Sequence, residues 1–296
     1  MKVLIIGASG LVGGNIFEYF SEVTNWELTG TYNSFPSDRL VYFDASDSSN
    51  WSRIITDTSW DLIIHTGAMT HVDQCEVDPV RSEKLTVDST HNLVNFSSKI
   101  ASKFVYISTD YVFDGTSGPY SEGDNTNPLS VYGKHKLQSE NIITSVLKDY
   151  LIIRITNVYG KEVRNKNLLS RIIQGVVTKN VGIYKMPFDQ YSTPINAIDV
   201  ARALLYLIKD DKKGLYHLAS TDLVNRVQFL QKINFYIGKR LTIVPVNSLD
   251  LNQSAKRPLR GGLLTGKFLS EYPNFEFSNM DSYLKTILQS IDSDLN

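Results

Sequence analysis

Tyr132 and Lys136 stand four residues apart in Tyr132-Gly-Lys-His-Lys136. In a helix, residues four apart share a face, so a phenol and an ammonium there address one point. A free phenol titrates near 10, and a neighbouring cation is expected to lower it toward a useful acid/base range. Ser108 and Thr109 close the apolar stretch 104–107 and offer hydroxyls that can hold a substrate oxygen beside the phenol. The chemistry that fits is proton delivery to a carbonyl accepting a hydride. Tyr-x-x-x-Lys alone occurs often by chance and usually marks a solvated helix face. Its position behind a strand ending in Ser-Thr gives it weight.

A second constellation lies at the N-terminus. The run KVLII is followed at once by Gly7, Gly10 and Gly13, and then by a helical pattern. A GxxGxxG that ends a strand and opens a helix is a dinucleotide fingerprint. Its glycines permit a tight turn and close backbone approach, and the helix N-terminus offers free N–H groups to phosphate. Gly7, Ser9, Gly10, Leu11, Val12 and Gly13 are therefore the expected pyrophosphate cradle. An NAD site usually carries an acidic residue about 20 residues further on, but Thr31-Tyr32-Asn33-Ser34 has none. Asn33 is taken as the ribose-side contact, and NADPH is the expected cofactor, with NADH left open. Asp44, followed by Ala45, suits either an adenine contact or a helix cap. Gly67 and Ala68 are small enough for backbone to lie against the cofactor, and Thr70 ends that loop. His65 reads as a satisfied core histidine, and Cys75 has no histidine pattern that would make it a nucleophile. Arg257 and Arg260 lie in a basic, Gly-rich loop. They suit an anionic diphosphate or simple solvation.

These residues need elements to position them. Apolar strand-like runs fall at 2–6, 27–31, 40–43, 60–65, 104–107 and 150–155, and helical patterns alternate with them, including a long one over 79–101. Alternation of this kind predicts an α/β fold with a doubly wound, Rossmann-like parallel sheet, whose ligands gather at strand C-termini. The expected division is a dinucleotide-binding domain at 1–160 and a mainly substrate-binding part at 161–296, with segments near 182–212 returning to the first. After 160, helical patterns cover 167–177, 196–209, 226–237 and 280–291, and short strands 182–186 and 214–219. The 296 residues, 42% hydrophobic and 21% charged, describe an ordinary globular chain, and a net charge of −1 gives no argument for nucleic acid. One cysteine fits a reducing compartment. No leader-like run and no apolar run approaching ~20 residues is found, so a cytoplasmic protein without membrane contact is expected. No metal site is read.

The combination of GxxGxxG, Ser108-Thr-Asp110 and Tyr132-x-x-x-Lys136 resembles the extended short-chain dehydrogenase/reductase superfamily. Ser108-Thr-Asp-Tyr-Val-Phe-Asp-Gly115, Arg154-Ile-Thr-Asn-Val-Tyr-Gly160, Asp189-Gln190 before Thr193-Pro194, and Arg257-Pro258 narrow the resemblance to the dTDP-4-dehydrorhamnose reductase family. That resemblance implies NADPH-dependent reduction of the 4-keto group of a nucleotide-linked 4-keto-6-deoxy sugar. Thr109 would hold the keto oxygen, Tyr132 would donate the proton, and Lys136 would bind the nicotinamide ribose. Thr70, Thr109, Asp110, Tyr111, Val112, Asn157, Gln190 and Arg257 would face the nucleotide-sugar substrate. A homodimer is compatible with it. The chain departs from the family pattern at His65-Thr66-Gly67-Ala68, at Asp88 and at Tyr191-Ser192. Dehydratases of the superfamily carry Asp-Glu after Ser-Thr; here Asp110 is followed by Tyr111, which favours reduction. The same branch includes a regulatory subunit of methionine adenosyltransferase and NAD-retaining epimerases, which are the alternative readings.

Overall fold

Apolar residues in the strands come in unbroken runs because both faces of the sheet are covered. The computed structural model describes residues 1–53, 60–162, 164–178, 180 and 182–295. Its seven parallel strands are β1 (Lys2–Ile6), β2 (Glu27–Tyr32), β3 (Val41–Tyr42), β4 (Leu62–His65), β5 (Lys103–Thr109), β6 (Tyr150–Ile155) and β7 (Gly214–Leu218). They lie in the order β7-β6-β5-β4-β1-β2-β3. The order reverses between β1 and β4, which pair with Ile6 opposite His65. A doubly wound sheet opens its ligand crevice at such a switch point.

The longer helices are α1 (Leu11–Val23), α2 (Ser89–Ile100), α3 (Val131–Val146), α4 (Leu168–Val177), α5 (Ala197–Lys209) and α6 (Arg226–Tyr236). Alternate strand residues serve opposite faces. Val3, Ile5, Leu62, Ile64, Val105 and Ile153 pack with Ile16 and Phe20 of α1 and Leu204 of α5. Leu4, Ile6, Ile63, Phe104 and Ile152 pack on the other face with Leu93 of α2 and Ile143 of α3. A separate core joins Leu169 and Ile172 of α4 to Leu230 and Ile233 of α6 and to Leu284.

The helical pattern over 79–101 resolves into Pro79–Glu83, a π turn at Lys84–Asp88, and α2. In the region around 182–212, α5 packs on the large sheet, whereas Ile183–Pro187 pairs in parallel with Thr242–Val246. The strand after α5 is the seventh of the sheet, beside β6. Phe268 and Phe275, late in the chain, also enter the core beside α1 and α5. Among the described residues, no helix is long and apolar enough to cross a membrane.

Candidate active site

The C-terminal end of β5 and the first turn of α3 meet because of one glycine. Ser130 caps α3 by accepting from Gly133 N (3.1 Å), and a Cβ on Gly133 would collide with Tyr111 O. This close approach sets Tyr132 against the turn that follows Thr109. The rings of Tyr111 and Tyr132 meet edge to face at 5.7 Å. Burial pushes the Tyr132 phenol up, and a hydrogen bond with Thr109 draws it partly back. The lowering of this phenol by Lys136, expected from the spacing, is not found. Lys136 Nζ instead donates to Ile107 O at 2.6 Å and lies 3.9 Å from the Tyr106 ring centroid. Burial pushes Lys136 down to about 7, opposed by Glu140 one turn further along α3. Desolvation thus favours the neutral form of the phenol.

Glu140 extends the same helical face, although its sequence position alone gives no sign of a role. It forms a buried ion pair with Arg154 of β6, Nη2 to Oε2 at 2.6 Å and Nε to Oε1 at 3.0 Å. Ser108 also donates to Glu140 Oε1. Arg154 lies over the Phe113 ring at 5.2 Å, and Phe113 stacks on Tyr120 at 4.2 Å. Asp114 accepts from Thr116 N, Thr116 Oγ1, Tyr120 Oη and Asn127 Nδ2, bonds that hold its carboxyl well below the usual range. The long motif after Thr109 therefore knots the loop leading into α3.

The glycine cradle has the geometry of a phosphate site. Gly10 precedes α1 without any side-chain cap, and Ser9, Leu11 and Val12 are half-buried beside it. A Cβ on Gly13 would lie 2.5 Å from Thr66 Oγ1, so α1 reaches the sheet only with glycine there. Thr66 donates to Ile6 O at 2.8 Å, and Thr31 accepts from Gly7 N at 3.2 Å. Neither threonine is marked by a motif, because its partner lies on another strand. Asn33 is exposed. Asp44 Oδ1 accepts from Ser46 N (2.9 Å) and Ser46 Oγ (2.7 Å), closing a local turn ahead of the short helix that starts at Ser48, so it caps no helix. Ala45 is buried, while Gly67 and Ala68 are half-buried at the end of β4. His65 is a core residue but not a satisfied one. Neither ring nitrogen has a hydrogen-bond partner among the described residues, and burial pushes it down to about 3. Cys75 is buried with its thiol pushed up, which suits no nucleophile.

Beyond Thr109 a polar cleft is lined by Asp110, Tyr111, Asn157, Gln190, Ser192 and Arg226. Asp110 is buried and accepts from Thr156 Oγ1 (2.9 Å) and Gly262 N (3.2 Å). Desolvation raises its carboxyl above the usual range. Gln190 is buried too, whereas Thr70 is exposed. Val112 points into an apolar cluster with Phe113 and Tyr120, so its side chain is structural. Arg257 is bound bidentately by Asp73, at 2.9 and 2.7 Å, so its charge is already met by a carboxylate. Arg260 is exposed. Asp73 and Arg226 are participants that no sequence motif marks.

A family model described as the RmlD substrate binding domain matches residues 1–292. Over 270 residues the chain is 31% identical to a Haloferax volcanii protein named as a probable low-salt glycan biosynthesis reductase, covering 89% of each chain. It is 30% identical over 264 residues to subunit beta of methionine adenosyltransferase 2 from Xenopus tropicalis, covering 87% of this chain and 75% of that one. A crystal structure of a dTDP-4-dehydrorhamnose reductase from Clostridium acetobutylicum covers 99% of this chain and 100% of its own, with a TM-score of 0.87 and 27% identity.

Proposed function

From the premise that the chain belongs to the RmlD substrate binding domain family, we propose that it reduces the 4-keto group of a nucleotide-linked 4-keto-6-deoxy sugar at the expense of NADPH. The single observation that carries this reading is the Tyr132 phenol, placed beside the Thr109 hydroxyl at the C-terminal edge of the sheet and pushed up by burial.

The residues around the crevice fit a dinucleotide. The uncapped start of α1 and the Gly13 approach leave backbone N–H groups to meet pyrophosphate. Gly7, Ser9, Gly10, Leu11, Val12 and Gly13 would hold it, with Ala45, Gly67 and Ala68 against its flat surfaces and Asp44 able to offer its second oxygen. No carboxylate occurs among Thr31, Tyr32, Asn33 and Ser34 to repel a 2′-phosphate, which favours NADPH over NADH. When bound, the cofactor supplies a hydride. Thr109 and Tyr132 would hold the sugar carbonyl oxygen, and Tyr132 would give it the proton that completes the alcohol. Lys136 would present its ammonium to the cofactor ribose from the floor of the site. Dehydration is disfavoured because Tyr111, the residue after Asp110, is itself pushed up by burial and is a poor base.

Identity of 30% to a methionine adenosyltransferase subunit favours a second reading, a nucleotide-liganded regulatory subunit. The test is a panel of 4-keto sugar nucleotides, dTDP-linked first, assayed for NADPH oxidation. One NADPH consumed per 4-hydroxy sugar formed is expected. Cofactor binding without turnover on any of them would favour the regulatory reading. Conversion of an unoxidised sugar nucleotide with no net NADPH loss would favour the epimerase.

A further inference from the structure

The cleft contains a cation that no side chain in it binds as an ion pair. Arg226, the first residue of α6, lines the cleft beside Tyr111, Asn157 and Ser192. Its Nη2 donates to Asn157 Oδ1 at 2.7 Å, and Asn157 Nδ2 donates in turn to Ser192 Oγ at 2.7 Å. The guanidinium is therefore aimed by a neutral amide rather than by a carboxylate. Among the described residues, no carboxylate lies within ion-pair distance of it. The nearby carboxyl of Asp110 accepts from Thr156 and Gly262 and acts on Arg226 through space, with no hydrogen bond between them. Arg257, the cation that the sequence pointed to, is already bidentate with Asp73. Arg260 is exposed and solvated.

The geometry points to Arg226, not Arg257, as the residue that receives the diphosphate of the sugar nucleotide. The assignment rests on the sugar-nucleotide reading above. A half-buried guanidinium held in place by one hydrogen bond keeps its remaining N–H donors for paired anionic oxygens, and such charge-assisted contacts are the strong ones. Arg257 then serves the backbone instead. With Asp73 it fixes residues 255–257, since Asp73 Oδ1 also accepts from Ala255 N at 3.0 Å.

The α6 cap is built by Asn225 and Gln228 without the Arg226 side chain, so Arg226→Gln is expected to fold with an unchanged melting temperature. Calorimetric titration of the full chain with dTDP, UDP and thymidine tests the assignment without requiring turnover. Arg226→Gln is expected to weaken binding of whichever diphosphate the wild type takes by about 10- to 100-fold. Thymidine affinity should stay within about twofold, and Arg226→Lys should recover part of the loss. Equal diphosphate affinity in wild type and Arg226→Gln overturns the assignment, as does a loss shared equally by thymidine. Wild-type protein that binds none of the three removes the sugar-nucleotide reading, and the assignment with it.

Discussion

Desolvation raises the Tyr132 phenol, and the Lys136 amine beside it is turned to Ile107 O. That favours the neutral phenol, the form the proposed proton transfer requires. Tyr132→Phe preserves ring packing against Tyr111 but removes the donor, and turnover should fall by roughly 10²–10⁴-fold. Cofactor affinity measured by fluorescence should stay close to wild type. A variant with near-normal rate would remove Tyr132 as the acid. Lys136 makes a second prediction, about stability. In the unfolded chain it titrates at its ordinary value of 10.5, and in the fold at about 7. Between those values the unfolded chain binds the extra proton, so stability rises with pH across the window. Lys136→Met deletes that slope. The unfolding free energy of wild type relative to the variant should climb from pH 7 to pH 9 in urea titrations. A difference that stays flat would mean that the ammonium keeps its ordinary value in the fold.

The helices owe their seats to contacts of different kinds. Gly13 is a steric requirement: an added Cβ meets Thr66 Oγ1 at 2.5 Å and Gly7 O closer still. Gly13→Ala should destabilise the protein by about 1–3 kcal/mol and weaken nicotinamide cofactor binding, read by urea unfolding and by titration. The seat of α3 is electrostatic. Glu140→Gln leaves Arg154 buried without its carboxylate, and should destabilise by about 3–5 kcal/mol; a much smaller change in the unfolding midpoint would show that Arg154 finds other partners. What could be read from the chain follows the same division. β1, β4, β5 and β6 were legible because runs buried on both faces are continuously apolar, and Tyr132 and Lys136 because a helical spacing of four is local. Residues 214–219 were legible as a strand, but nothing in Gly-Leu-Tyr-His-Leu says that β6 is its neighbour. The π turn at Lys84–Asp88 leaves no periodic signature. Arg226 and Asp73 were not legible because their partners lie 69 and 184 residues away. Arg257 reads as a free cation for the same reason.

On the scale of the whole molecule, the loop 255–264 joins the two halves of the cleft. Arg260 N donates to Gly115 O and Gly118 N to Arg260 O, while Tyr191 N donates to Leu259 O. Its only ion pair among the described residues is Arg257 with Asp73, whose carboxyl is lowered mainly by that hydrogen bond. Asp73→Asn should loosen this segment more than the sheet. Because the pair is partly exposed, its loss is expected at about 1 kcal/mol or less. Amide exchange over 255–262 should accelerate, and KM for the sugar nucleotide should rise a few-fold with kcat less affected; unchanged exchange in that segment would show that the backbone bonds suffice. The Asp110 carboxyl carries a further consequence, for the order in which a newly made chain can assemble. It is buried just past the end of β5, yet its backbone donor, Gly262 N, comes 152 residues later. Translation delivers N-terminal parts first, so every strand of the large sheet has emerged before the cleft wall exists. Until the ribosome has released residue 262, Asp110 has only the hydroxyls of Thr109 and Thr156 to meet it. A chain cut short before that point would therefore contain all seven strand segments and the glycine run, yet lack both the Gly262 donor and the core contacts of Phe268 and Phe275.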